Sequence, residues 1–235
     1  MKNNPVPQFR HELKYIISYL EKDVIVRRLQ TILQSDEHAT NGSYFIRSLY
    51  FDDWWESAYK EKQIGCASRK KYRIRTYNYS DTVIRLERKR KEGSYILKES
   101  AQLTREEAEQ LMKEDYRFLL KRNEQVCRDF YVECVSNLMR PKVIVDYERE
   151  PFVYPYGDVR ITFDTGVRAG MMEFDIFDKS LPTAEVLEPE KLIMEVKFTE
   201  YLPNIIREIL PPENSEYTAA SKYVMCLDKR KEFHK

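Results

Sequence analysis

The chain has 235 residues, 42% of them hydrophobic and 34% charged, which suits one domain, or at most two small ones, with a sizeable core. Forty Lys and Arg against 39 Asp and Glu leave a net charge of +1, so no global field draws it to nucleic acid or an anionic membrane. No apolar run approaches the ~20 residues of a membrane span, and the opening MKNNPVPQFRHELKY lacks the apolar core of a secretory signal. Cys66, Cys127, Cys134 and Cys226 are scattered without a CxxC pair. Reduced thiols in a cytoplasmic protein are the reading, with no zinc site or disulfide framework.

Strands dominate, with helices between them. Gln8 to Ser18 reads as a strand and runs into Ser18-Tyr-Leu-Glu21, a capping-box spacing that predicts a helix to about Leu33. Strands follow at Tyr44–Phe51, Ser68–Tyr77, Thr82–Arg90 and Ser94–Glu99. Thr104-Arg-Glu-Glu107 opens a helix to about Glu114, and a third helix is expected from Asn123 to about Met139, where Arg140-Pro141 ends it. Strands resume at Lys142–Arg149, Val159–Asp164, Met171–Phe177 and Lys191–Phe198, and a last helix spans roughly Glu216 to Leu227. There is no repeat, linker or shift of composition, so a single domain over 1–235 is expected.

Side chains alternate across a strand, so every second residue shares a face. That rule groups Arg10, Glu12 and Lys14, then Lys71, Arg73 and Arg75 in KYRIRTY, then Arg85, Glu87 and Lys89 in VIRLERKR. Arg47 joins from the preceding strand, Lys98 lies on the hairpin arm after Gly93, and Arg149 ends VIVDYER. Arg160, Thr162 and Asp164 alternate with Ile161 and Phe163; Glu195 and Lys197 alternate with Met194, Val196 and Phe198. An antiparallel sheet with one solvated face would alternate in the same way. These polar faces, however, are dominated by Arg and Lys, where solvated strands usually favour Thr and other β-formers. About eight or nine such strands is also near the number at which a sheet closes on itself. If the charged faces point inward, helices must cover the apolar ones, and the basic interior needs paired carboxylates or a bound anion. A linear triphosphate or polyphosphate is such an anion, gripped bidentately by Arg.

RHELKY at 10–15, SLYFDD at 48–53, KYRIRTY at 71–77, RLERKR at 85–90, DYERE at 146–150, RITFDTG at 160–166, LIMEVKF at 192–198 and SKY at 221–223 occur in an order that resembles the polyphosphate polymerase (vacuolar transporter chaperone catalytic) domain of the triphosphate tunnel metalloenzyme superfamily. The resemblance covers nearly the whole chain. It implies an α+β fold: an antiparallel eight-stranded tunnel barrel with a polar basic interior and helices packed outside. It also implies Mn²⁺ or Mg²⁺ and transfer of the terminal phosphoryl of ATP to a growing polyphosphate chain. Carried over by motif, Lys14, Arg73, Arg75, Lys89, Arg149 and Arg160 take catalytic positions, while Arg10, Arg47, Lys98, Lys197, Ser221 and Lys222 bind substrate. Glu195 would be the principal metal ligand, with Glu12, Glu87 and Asp164 as further candidates. Where the wider superfamily often has two alternating glutamates before the lysine, Arg10 holds the first of those positions, as in the polymerase branch.

The implied partners are a nucleoside triphosphate and inorganic polyphosphate, with no nucleic acid and no membrane segment of the chain's own; a membrane-protein partner is left open. A tripolyphosphatase or nucleoside triphosphatase and a non-catalytic polyphosphate-binding module are the alternatives. Neither a GxxxxGK[ST] loop nor a GxGxxG turn is present. HELK at 11–14 lacks the second histidine of a zinc protease; His11 reads as an outward strand residue, His38 and His234 as loop or tail. Cys127 and Cys134 read as core packing on one helix, RKRK at 88–91 as a solvated hairpin, and Trp54 and Trp55 as packing on the barrel exterior.

Overall fold

The computed structural model describes residues 11–35, 42–93, 95–154, 156–210 and 220–234. In chain order its elements begin with β1 (His11–Ser18), α1 (Tyr19–Leu29), β2 (Gln34–Ser35), β3 (Tyr44–Asp52) and α2 (Ser57–Gln63). Next come β4 (Ser68–Tyr77), β5 (Ser80–Glu92), β6 (Tyr95–Leu103), α3 (Arg105–Met112) and α4 (Gln125–Ser136). The chain ends with β7 (Arg140–Tyr154), β8 (Val159–Gly170), β9 (Thr183–Glu185), β10 (Lys191–Phe198), α5 (Asn204–Ile209) and α6 (Lys222–Phe233). The architecture is α+β and antiparallel. The strand path β1-β10-β8-β7-β3-β4-β5-β6 carries eight strands, with β2 on β7 and β9 on β8. Eight antiparallel strands match the expectation, but the path has two ends: among the described residues no ladder closes it.

Two compact units share the chain. The first takes Met1–Tyr44, Tyr147–Val167 and Leu187–Ala220; the second takes Phe45–Asp146, Arg168–Val186 and Ser221–Lys235. The long strands β7 and β8 therefore contribute to both.

In the first unit, Ser18 starts α1 with a reciprocal capping box: Glu21 N–H donates to Ser18 Oγ at 3.2 Å and Ser18 N–H donates to Glu21 Oε2 at 2.7 Å. Ile25 and Leu29 of α1 and Ile206 of α5 bury themselves against Tyr15, Ile17, Ile161, Phe163, Leu192, Met194 and Val196. Those strand residues are one alternation of β1, β8 and β10, so the other alternation carries the charges.

In the second unit, Thr104 and Glu107 form the same capping box at the start of α3. Helices α3 and α4 cover Leu49, Phe51, Tyr72, Ile74, Ile84 and Leu86, with Cys127, Phe130 and Cys134 buried in that core. Gly93, at φ +59°, makes the turn between β5 and β6. Gly170 lets β8 approach β7, since a Cβ there would lie 2.9 Å from Ile144 Cβ.

Several expectations are corrected. Met171–Phe177 is not a strand but a turn-rich segment. Arg230 of α6 donates to the Met172 carbonyl of this segment at 2.7 Å, and to that of Gly170, which ends β8, at 3.0 Å. Trp54 and Trp55 do not pack on the sheet; they are 70% and 56% exposed in the turn after β3. Helix α1 stops at Leu29, short of Leu33. The last helix runs to Phe233, and residues 216–219 of its expected start lie outside the described residues, as do 8–10 of the first strand and His38.

Candidate functional site

In the second unit, strand register builds a basic face. Across β4, β5 and β6 the rows are Lys71–Lys89–Lys98, Arg73–Glu87–Ser100 and Arg75–Arg85–Gln102. Residues directly opposite share a face, so these rows set six cations against one carboxylate. Glu87, 1% exposed, holds the centre. Arg73 reaches its Oε2 through Nη2 at 2.6 Å and Nε at 2.8 Å, Arg75 Nε lies 4.0 Å away, and Lys98 Nζ meets Oε1. Burial works against ionisation of Glu87, but Arg73, Arg75 and Lys98 outweigh it and hold its pKa far below the carboxylate range.

β3 adds Ser48 and Tyr50, in register with Arg75 and Arg73. Arg75 Nε donates to Ser48 Oγ at 3.2 Å, and Arg73 Nη1 donates to the Tyr50 hydroxyl at 2.8 Å. Tyr50 stacks on Tyr223 of α6 at 5.1 Å, and Lys71 Nζ donates to Ser221 Oγ at 2.9 Å, so the start of α6 is fastened to this face. Two groups register the field there. Burial opposes ionisation of the Tyr50 phenol, yet Arg73, Arg75 and Lys222 pull its pKa below the ordinary tyrosine value. Partial desolvation, with Arg73 and Arg75 nearby, pulls Lys98 below the ordinary lysine value although Glu87 opposes this.

The first unit carries a nearly balanced cluster. Its rows are Lys14–Glu195–Thr162 and Glu12–Lys197–Arg160 across β1, β10 and β8. Lys14 Nζ lies 3.1 Å from Glu195 Oε1 and 3.6 Å from Glu12 Oε1. Lys197 Nζ lies 3.2 Å from Glu195 Oε2 and 4.0 Å from Glu12 Oε1. Arg149 grips Asp164 bidentately, Nε to Oδ1 and Nη2 to Oδ2 at 2.6 Å each, and reaches Glu195 Oε2 at 3.3 Å. Burial disfavours the Arg149 charge, but Asp164, Tyr147 and Glu195 more than compensate and raise its pKa. Arg160 donates to the Tyr44 hydroxyl at 3.1 Å.

Among the described residues no three His, Cys, Asp or Glu side chains form a metal cage. Glu12 and Glu195, drawn close by two shared lysines, still suit Mn²⁺ or Mg²⁺, since Mg²⁺ is commonly held by one or two carboxylates with phosphate oxygens and waters completing the shell. Asp164 is turned to Arg149, and Glu87 belongs to the second unit's basic face.

Arg47 is a correction. Its neighbours in phase on β3 are Leu49 and Phe51, both core residues, so it points away from Ser48 and Tyr50. It is 1% exposed and pairs with Asp146 through Nε to Oδ1 at 2.8 Å and Nη2 to Oδ2 at 2.7 Å, with Nη1 on the Asp178 carbonyl. Arg88 is likewise on the helix side, gripping Glu99 at 2.7 Å and meeting Asp129 at 2.5 Å. Arg10 lies outside the described residues. Sequence reasoning missed Ser48, Tyr50, Tyr44 and Tyr223. The alternation Ser48-Leu49-Tyr50-Phe51-Asp52 held the signal for the first two, because its polar members share one phase.

The VTC domain family matches residues 9–230. This chain belongs to the VTC domain family. Among solved structures, a Hippeastrum protein described as an adenylyl cyclase candidate with a dominant triphosphatase activity is similar, at TM-score 0.56 and 14% identity over 95% of this chain and 96% of that one. An adenylate cyclase candidate from Bacillus halodurans is similar at TM-score 0.52 and 12% identity, over 88% of this chain and 95% of that one. The VTC chain thus shares its fold with these two proteins. No curated protein sequence matches it. Among the described residues no helix is long and apolar enough to cross a membrane.

Proposed function

We propose that this VTC domain is a metal-dependent phosphotransferase that moves the terminal phosphoryl of ATP onto an inorganic polyphosphate chain. The observation that carries the proposal is the second unit's basic face, six cations around one carboxylate. Such a face suits a polyanion, whose oxygens Arg and Lys grip, and family membership points to the same ligand. In this reading Arg73 and Arg75 take phosphate oxygens, and Lys71, Lys89, Lys98 and Lys222 spread charge along the chain. Glu87 holds the two guanidiniums in place. Lys14, Lys197, Arg149 and Arg160 serve the reacting phosphates, while Glu195 and Glu12 would hold the divalent ion. When bound, that ion supplies charge neutralisation on phosphate oxygens. That both units serve one reaction as a single domain is part of the proposal, as is a cytoplasmic setting where ATP is available.

Phosphoryl transfer asks a protein mainly for positioning and charge. The terminal oxygen of a polyphosphate is already ionised, so no strong base is needed. Hydrolysis of the triphosphate is the second reading, favoured by the activity described for the Hippeastrum protein. Incubating the purified protein with ATP and Mn²⁺ decides between them. Long-chain phosphate with ADP supports transfer; orthophosphate without chains supports hydrolysis; binding of polyphosphate with no turnover reduces the protein to a binding module.

A further inference from the structure

Thr162 lies in the middle of β8, fully buried, between Arg160 and Asp164 in the same phase and opposite the phase of Ile161 and Phe163, which belong to the core. Register sets it directly beside Glu195, which in turn faces Lys14. The Thr162 side chain therefore points into the charged cluster of the first unit. Its hydroxyl nevertheless has no hydrogen-bond partner among the described residues, although charged groups crowd that face. An unpaired buried hydroxyl is a destabilising feature, and a β-branched apolar residue of the same shape would serve the strand at least as well.

We infer that the Thr162 hydroxyl is a ligand contact, donating to an oxygen of a phosphate bound at the cluster of Lys14, Lys197, Arg149 and Arg160. Glu195, although directly beside it in register, is not its partner: the hydroxyl makes no hydrogen bond to it, and the Glu195 oxygens are turned to Lys14, Lys197 and Arg149. The nearby cations select an anionic acceptor, and a hydroxyl adds a directed donor among groups that otherwise act mainly by charge. The inference rests on the triphosphate reading of this chain and extends it to a residue that charge patterning alone would pass over.

The test compares the full chain with Thr162→Val and Thr162→Ser, measuring tripolyphosphate affinity by calorimetry in EDTA and thermal unfolding without ligand. Thr162→Val should weaken tripolyphosphate binding about tenfold, while the ligand-free unfolding midpoint stays level or rises by about 2–4 °C. Thr162→Ser, which keeps the hydroxyl, should restore the affinity. These opposite signs separate a ligand contact from a structural one, which would lower the midpoint and the affinity together and overturn the inference. Should the valine variant not fold, Thr162→Ser against Thr162→Ala gives the same binding comparison. Wild-type affinity in both hydroxyl-free variants overturns the inference alone. A loss seen only with Mn²⁺, with tripolyphosphate binding in EDTA intact, overturns the phosphate assignment. A wild type that binds no tripolyphosphate sinks the triphosphate reading together with this one.

Discussion

Replacing Glu87 by Gln keeps the shape of the side chain and removes the one negative charge in the three rows of the basic face. Arg73 loses contacts at 2.6 and 2.8 Å, Lys98 loses its carboxylate, and Arg75 loses a partner at 4.0 Å. Breaking a buried ion pair on one side costs about 3–5 kcal/mol. The low end applies here, because the Arg73 and Lys98 side chains are 18% and 46% exposed and can turn toward water. About 3 kcal/mol in a chain of this size lowers the unfolding midpoint by about 6–12 °C. The diagnostic is its rescue. With Glu87 neutral, an added polyanion would replace the charge that face has lost, so tripolyphosphate should raise the variant's midpoint more than the wild type's at equal saturation. Thermal unfolding by circular dichroism at neutral pH, with and without tripolyphosphate in EDTA, measures both. A variant as stable as the wild type, or one whose deficit is unchanged by tripolyphosphate, would refute the reasoning. The same carboxylate has a pH signature. Its folded pKa is depressed, so its contribution is fully present above the model-compound value of 4.5 and is lost as pH falls below it. The gap between wild type and Glu87→Gln should therefore close in acid.

Glu195→Gln should abolish Mn²⁺-dependent turnover while tripolyphosphate binding in EDTA persists; unchanged turnover removes Glu195 from the site. The Tyr50 phenol should titrate below the usual tyrosine range by ultraviolet difference absorbance, move upward when tripolyphosphate neutralises its neighbours, and vanish in Tyr50→Phe. Arg47→Leu should destabilise the chain by about 3–5 kcal/mol by stranding Asp146, and adding Asp146→Leu should recover part of that. Tripolyphosphate affinity of the folded fraction should not change in either variant, and a drop would return Arg47 to the ligand.

The fold was legible where the period of the pattern was regular. KYRIRTY, VIRLERKR and RITFD alternate without interruption, and each forms its strand with the expected residues in phase. The two capping boxes formed because each satisfies two helix-end donors locally, independent of tertiary context. Arg47 misled because charge was read without phase: Leu49 and Phe51 already assigned its side to the core. Met171–Phe177 misled for the converse reason. Its Phe174, Ile176 and Phe177 are apolar enough for a strand and pack on the core, but its Met172 carbonyl is met by Arg230, far along the chain. Trp54 and Trp55 were assigned by bulk, and nothing local in their sequence distinguishes a packed indole from an exposed one. Thr162 was visible as a letter in an alternating strand; that its hydroxyl is unpaired is a property of packing alone.

The division of charge between the two units bears on how one sheet pattern serves two tasks. In the first unit the register opposes Lys14 to Glu195 and Glu12 to Lys197, so each of these cross-strand charge contacts is attractive. In the second the register opposes Lys71 to Lys89, Lys89 to Lys98 and Arg75 to Arg85, contacts that repel directly across the ladder. Three repulsive pairs within adjacent strands are not a feature that folding stability selects, whereas slipping any of these strands by one residue would bury the charges and expose the core. The register is thus locked by the apolar phase beneath, Tyr72, Ile74, Ile84 and Leu86, and the repulsion above it is tolerated. On the proposed function, an extended anion would offset it: a compact anion would engage one row, and a chain of phosphates several.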